Sequence, residues 1–190
     1  MSEAYQVEPI SVEEYLRLEQ TSEIRHEYVD GYLYAMTGAS KRHNRLIFNF
    51  QNLVSDAADD QGCEVYSSSV KVAVSERAIY YPDLLVTCDP GDDDPYISRR
   101  PCLILEVLSP STARTDRHEK FFAYLRIPSL RAYLIVHQDR HLVERNWRDN
   151  ATDDWRTQLI SGGIVPLPCP DVELTVEDIY RRLPPVDEQD

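Results

Sequence analysis

Two carboxylates occupy positions where strands should be apolar. Residues 101–108, Pro-Cys-Leu-Ile-Leu-Glu-Val-Leu, read as a buried strand. Alternation puts Leu103, Leu105 and Val107 on one face and Ile104, Glu106 and Leu108 on the other, so both faces look buried. An unpaired ionised carboxylate there is costly or stays protonated, so Glu106 needs a cation, a basic side chain or strong donors beside it. Asp83 repeats the anomaly within Tyr80-Tyr-Pro-Asp-Leu-Leu-Val-Thr-Cys, where it shares a face with Tyr81 and Leu85. Pro82 removes a ladder donor and marks a strand start, bulge or edge. Two such carboxylates on neighbouring strands can share Mg2+, which prefers hard oxygen ligands and retained waters. Caps or ion-pair partners are the other reading of the same spacing.

Lys120 lies in the helix that leaves the Glu106 strand. Asp116, Lys120 and Tyr124 recur at i, i+4 and i+8 and form one polar stripe, with Phe121 and Leu125 on an adjoining apolar one. A solvated charge is the ordinary role of such a lysine. Its helix, however, begins where the Glu106 strand ends, so its first turns can overhang the carboxylates.

The elements that must position these groups follow from periodicity and caps. Ser11-Val-Glu-Glu14 is a capping box that opens a short amphipathic helix. Asp30-Gly31 is a two-residue turn between Glu27-Tyr-Val and Tyr32-Leu-Tyr-Ala-Met. Ser40 opens a helix to about Asp60, with Leu46, Ile47, Phe50, Leu53, Val54 and Ala57 at helical spacing. Extended segments are expected at Glu64 to Ser68, Val70 to Val74 and Ile79 to Cys88. After the Glu106 strand, Thr112 or Thr115 caps a helix to about Arg126, stopped by Ile127-Pro128. Arg131 to Val136 reads as a buried strand parallel to the Glu106 strand, because the intervening helix makes a βαβ unit. Leu142 to Trp147 and Trp155 to Ile160 read as antiparallel strands that bring Trp147 and Trp155 to a sheet edge. Thr175 opens a short terminal helix. The order indicates an α/β fold, a mixed β-sheet flanked by α-helices.

A length of 190 residues suits one domain: an N-terminal extension over 1–9, a core over 10–183 and an acidic tail over 184–190. Twenty Lys plus Arg against 33 Asp plus Glu give a net charge of −13, concentrated in Asp89 to Asp94 and Asp187 to Asp190, so global charge lends nucleic-acid binding no support. Cys63, Cys88, Cys102 and Cys169 lack C-x-x-C spacing, and two of them fall in expected buried strands, where a free thiol behaves as a small apolar residue, so a zinc site is not expected. With no signal peptide and no membrane-length apolar run, the expectation is a cytoplasmic protein that does not enter the membrane.

Glu27-Tyr-Val-Asp-Gly31, Met36-Thr-Gly-Ala-Ser40 with His43, Tyr81-Pro-Asp83, Leu103 to Thr112, Asp116 to Lys120 and Ile127-Pro-Ser-Leu130 together resemble the Uma-two family. That resemblance runs from about residue 10 to about 180, in the family's order. It implies the restriction-endonuclease-like PD-(D/E)XK core and an Mg2+- or Mn2+-dependent endonuclease that cuts DNA. It further implies that Asp83 and Glu106 bind the metal with the main-chain carbonyl of Val107, and that Glu27 is an additional acidic residue near it. The signature lysine of the superfamily would stand at 108, where this chain has Leu108; Lys120 is the candidate replacement. Because its role would be with the attacking water, its removal is expected to leave the fold nearly intact. His43 is either part of the site or a structural hydrogen-bonder, and Arg114, Arg117 and Arg126 are either phosphate contacts or solvated charges. A non-catalytic binding or regulatory module and a hydrolase of a small phosphate-containing molecule are the alternative functions. A homodimer is expected from the aromatic sheet edge.

Overall fold

In the computed structural model, which describes residues 8–108 and 119–183, Ser11 accepts a hydrogen bond from the Glu14 N–H at 3.1 Å and starts α1 (Val12–Glu19). Asp30 and Gly31, at φ 52° and 94°, turn β1 (His26–Val29) into β2 (Tyr32–Ala35), as a two-residue hairpin loop with positive φ at both positions requires. Ser40 accepts from the His43 N–H and opens α2 (Lys41–Asp60), whose Leu46, Ile47, Phe50, Val54 and Ala58 form its buried stripe. Next come β3 (Glu64–Ser67), β4 (Lys71–Ser75), β5 (Ala78–Tyr80), β6 (Leu84–Thr87), β7 (Ile97–Ser98) and β8 (Leu103–Leu108). They lead to α3 (Phe121–Tyr124), β9 (Ala132–His137), β10 (Val143–Arg148) and β11 (Trp155–Ile160). A last hairpin, β12 (Ile164–Pro168) and β13 (Asp171–Thr175), precedes α4 (Val176–Ile179), where Thr175 accepts from the Asp178 N–H.

Six strands form one sheet in the order β11-β10-β9-β8-β6-β3, in which β8 and β9 run parallel as the βαβ argument requires. A five-stranded sheet, β2-β1-β5-β4-β7, is separate, and β12 pairs only with β13. Both faces of the six-stranded sheet are covered at its centre, along β8 and β9. Leu103, Leu105 and Val107 of β8 join Leu84, Val86 and the α2 stripe in one apolar cluster. Ile104 and Leu108 join Leu85, Tyr133 and the Val72 and Tyr80 side chains of the five-stranded sheet in another. All six residues of β8 are buried, so the alternation read in its sequence is realised with Glu106 on the face that meets the second sheet.

Several expectations need correction. The segment 79–88 is two strands, not one: it breaks at Tyr81-Pro82-Asp83, so β5 stays in the five-stranded sheet and β6 enters the six-stranded one. A proline that cannot donate to a ladder is where the chain changes sheets. The six-stranded sheet is mixed, as expected, and the break leaves β5 in a second sheet beside it. β12 and β13 were not expected; Pro166 and Pro168, which cannot donate to a ladder, are accommodated because a two-stranded hairpin has edge positions on both strands. Residues 109–118, with the proposed caps Thr112 and Thr115, lie outside the described residues; in the described part only α3 and its flanking turns are helical. The edge aromatics are engaged within the chain: Trp155 donates from Nε1 to the Leu125 carbonyl at 3.1 Å, and the Arg145 guanidinium lies 3.9 Å from the Trp147 ring centroid. The cysteines are not free thiols. They are joined as Cys63–Cys88 and Cys102–Cys169. Among the described residues no helix is long and apolar enough to cross a membrane.

The β1–β2 turn carries a direct test of this packing. At φ 94°, Gly31 holds a conformation that an L side chain adopts only with strain, and a Cβ there would collide with the Pro9 ring. Gly31→Ala is expected to lower unfolding free energy by roughly 2 kcal/mol. Equilibrium urea denaturation should show the lower midpoint with an unchanged slope.

Candidate active site

The break at Pro82 has a chemical consequence. Where β6 begins, the register Leu84↔Leu105 puts Asp83 beside Glu106 across the two strands. The carboxylate of Asp83 is held at both oxygens: Oδ2 accepts from the Val107 N–H at 2.7 Å, and Oδ1 lies 3.0 Å from Nε2 of His43. Its own carbonyl accepts from the Ser68 N–H at 3.0 Å and from the Ser68 hydroxyl at 3.2 Å, which fixes the bend from both sides. His43 reaches Asp83 from the first turn of α2. That turn is anchored in turn by Ser40, whose hydroxyl donates to Gln138 Oε1 at 2.9 Å, while Gln138 Nε2 donates to the Leu108 carbonyl at 2.8 Å. The end of β8, the start of α2 and the end of β9 are thereby tied together around one carboxylate.

Glu106 has the basic partner its burial demanded. Lys120 Nζ lies 3.2 Å from Glu106 Oε1 and 2.8 Å from Glu27 Oε1, and the same Glu106 oxygen accepts from the Tyr124 hydroxyl at 3.0 Å. Glu106 is 3% exposed and Lys120 6%, so this is an ion pair inside the fold and not a surface contact. Glu27 arrives from β1 of the other sheet and also accepts from the Tyr81 N–H at 3.2 Å, just before the Pro82 break. Burial, and then the Glu106 and Glu27 charges, push the Tyr124 hydroxyl well above its ordinary pKa, so it serves as a donor across the physiological range. Tyr80, whose ring centroid lies 5.6 Å from Lys120 Nζ, is pushed up to about 12 by burial and then by Glu27.

The structure therefore brings Asp83, Glu106, Val107, Glu27, Lys120 and His43 into one site. His43 belongs to it through Asp83. Tyr124 was missed as a site residue, although its i, i+4 spacing from Lys120 was the signal that could have found it. Ser40 and Gln138 carried no sequence signal beyond the helix cap. Arg114, Asp116 and Arg117 lie outside the described residues. Leu108, where the family resemblance leads one to expect a lysine, is 6% exposed and packs in the apolar cluster with Tyr124 and Leu130.

Among the described residues, Lys120 meets two carboxylates, Glu106 and Glu27, while the third, Asp83, is met by His43. Buried like charges in excess disfavour each other unless a proton or cation intervenes. The oxygens of Asp83 and Glu106, with the Val107 carbonyl, are hard donors of the kind that suit Mg2+ or Mn2+, which need only one or two carboxylates beside water and phosphate. In donor chemistry the residues fit such an ion.

Comparison with known proteins places the chain. A family model described as "Uma2: Putative restriction endonuclease" matches residues 12–177. The "Uncharacterized protein slr1290" of Synechocystis sp. is 38% identical over 148 residues, covering 77% of each chain. The "Uncharacterized protein sll1609" of the same organism is 34% identical over 139 residues, covering 71% of this chain and 78% of that one. Among solved structures, the crystal structure of "a putative nuclease belonging to DUF820" from Anabaena variabilis ATCC 29413 superimposes with a TM-score of 0.74 over 90% of this chain and 98% of that one, at 16% identity. The fold is the restriction-endonuclease-like one, with sheets flanked by helices.

The buried pair overturns the expectation that removing Lys120 is structurally mild. Lys120→Met leaves Glu106 and Glu27 without their shared cation, and breaking a buried pair by removing one partner costs about 3–5 kcal/mol. Metal-free denaturation of Lys120→Met should show a loss of that size. Adding Glu106→Gln to the same variant should recover part of it, since the orphaned charge goes with it.

Proposed function

Since this chain belongs to the Uma2 family, described as "Putative restriction endonuclease", we propose that it is a metal-dependent endonuclease that hydrolyses phosphodiester bonds in DNA. The single observation that carries the reading is the neighbouring carboxylates of Asp83 and Glu106 with the Lys120 ammonium bonded to the second of them. Phosphodiester hydrolysis needs those parts: hard oxygen ligands, and a positive group beside the reacting phosphate.

In this mechanism Asp83, Glu106 and the Val107 carbonyl would hold Mg2+ or Mn2+. When bound, the ion supplies Lewis acidity toward a phosphoryl oxygen and makes water a better nucleophile. The chain's own residues do the positioning. His43 and the Val107 N–H fix the Asp83 carboxylate, and Tyr124 fixes Glu106. Lys120, steadied by Glu27, offers a preorganised ammonium to the negative charge that develops in the transition state. Lys41 and Arg42, in the same first turn of α2 as His43, add positive charge at the N-terminus of a helix that reaches the site, where phosphate oxygens are favourably met.

One observation favours the non-catalytic alternative: Lys120 is already engaged by two carboxylates while Leu108 fills the usual lysine position with an apolar side chain. Such a site could retain a structural role in a protein that only binds nucleic acid. The proposed location is the cytoplasm. The proposed assembly is a homodimer through β11, the open edge of the six-stranded sheet with Leu159 exposed, which would align two sites on the two strands of a duplex.

Incubation with supercoiled plasmid, single-stranded DNA and RNA, with and without Mg2+ or Mn2+, is the test. Metal-dependent nicking or linearisation is expected in the wild type and absent in Asp83→Ala and Glu106→Gln. The melting temperature should rise with added metal in the wild type and not in Asp83→Ala. Binding without cleavage under every metal condition would select the non-catalytic reading. Light scattering at micromolar concentration should return the mass of two chains; the mass of one would remove the dimer.

A further inference from the structure

The four cysteines, read in sequence as unrelated thiols, are gathered at one place. Cys63 immediately precedes β3, Cys88 immediately follows β6, and Cys102 immediately precedes β8. Since β3, β6 and β8 are successive neighbours in the sheet, and Glu64 pairs with Thr87 and Val86 with Leu103, these three cysteines stand at the same end of three adjacent strands. Cys169 joins them from the turn between β12 and β13. Besides the two disulfides, Cys88 Sγ lies 3.2 Å from Cys169 Sγ and 3.5 Å from Cys102 Sγ. The sulfurs of Cys63, Cys88 and Cys169 all fall within 4.8 Å of one another. Cys63, Cys102 and Cys169 are buried and Cys88 is partly buried.

Two independent cross-links have no need to bring their sulfurs into mutual contact. A closed four-thiolate site does need this, since Zn–S bonds of about 2.3 Å at tetrahedral angles put the sulfurs roughly 3.8 Å apart. Each ligand comes from a separate segment, which is why no C-x-x-C pair appears in the sequence and why spacing alone argued against zinc. We propose that Cys63, Cys88, Cys102 and Cys169 form one soft-metal centre: in the reduced chain their four thiolates bind a single Zn2+ ion, and the two disulfides are its oxidised, metal-free form. The interconversion balances. Two equivalents of a dithiol reductant each give two electrons and two protons, cleaving both S–S bonds to four thiols and leaving two oxidised dithiols. Binding of Zn2+ then releases four protons as the thiols become thiolates. The centre pins the ends of β3, β6 and β8 to the β12–β13 hairpin, so its binding free energy acts on the fold.

The experiment uses the full chain, reduced with a dithiol, exchanged into oxygen-free buffer and checked for folding by circular dichroism. Titration with Co2+ is expected to give intense tetrahedral d–d bands and a thiolate-to-cobalt charge-transfer band, saturating at about one ion per chain. Zn2+ should bleach them stoichiometrically. After reoxidation with two equivalents of a small-molecule disulfide, each taking up two electrons and becoming two thiols that are then removed, thiol titration should find no free thiol on the chain, and the ion should be released. Cys88→Ser should weaken Co2+ binding at least ~10-fold and shift the bands. Asp83→Ala should keep the spectrum unchanged, because the ion is not at the carboxylate site. A reduced, folded wild-type chain with four titratable thiols and no cobalt spectrum overturns the proposal. So does a spectrum lost in Asp83→Ala or retained by the oxidised chain. If Cys88→Ser does not fold, the wild-type titration decides alone.

Discussion

An ammonium inside the fold holds three elements to one point. Lys120, from the turn before α3, bridges Glu106 of β8 and Glu27 of β1, so the six-stranded sheet, the five-stranded sheet and the helix are joined through a single charge. An ionised carboxylate left alone on a fully buried strand would cost several kcal/mol, and so would an unpaired lysine. Apolar packing between the sheets, through Val72, Tyr80, Leu85, Ile104 and Tyr133, sets their spacing without much regard to register. Charges and hydrogen bonds are directional and fix it. Such a pair is weak evidence of added stability compared with an apolar replacement. Its retention fits a site whose geometry matters more than its contribution to folding.

Asp83 shows the same economy from the backbone side. The proline before it ends one ladder, the chain crosses from one sheet to the other, and the freed carboxylate accepts the Val107 N–H of the neighbouring strand. A polar atom that would otherwise interrupt a core is thereby used to join β6 to β8. These two strands carry a carboxylate group at one end and the cysteine cluster at the other. Asp83 and Cys88 are five positions apart, roughly 17 Å of extended chain. Both ends are tied to other elements: His43 of α2 and Lys120 at one, and the β12–β13 turn at the other. A strand fixed at both ends cannot slip in register without breaking contacts at each.

What could be read in advance was what rests on short-range chemistry. The Ser11 and Ser40 caps, the Asp30-Gly31 turn and the two-faced burial of β8 each depend on residues a few positions apart, and each stands in the structure. The anomaly of Glu106 could likewise be read, because a charge in an apolar run needs no partner in view to be recognised. Its partner was legible only as a candidate: helical spacing puts Lys120 and Tyr124 on one face but does not say that the face turns inward. Period-two alternation carries no information on which sheet a strand joins, so the division of 79–88 was hidden even with Pro82 in plain sight. The cysteines were hidden more deeply, since strand order, not spacing along the chain, brings them together.

The placement of Lys120 follows from the same geometry. Leu108 shares a face with Glu106, and a lysine there would begin inside the apolar cluster that Leu108 now fills with Tyr124, Ile127 and Leu130. Its ammonium would have to reach the site from the strand itself. From position 120 the stem approaches across the sheet interface, its ammonium 5.6 Å from the Tyr80 ring centroid, and ends between two carboxylates. Leu108 adds apolar packing on the same face of β8 as Glu106. A lysine at 120 is tolerated in the interior because Glu106 and Glu27 are both there to meet it.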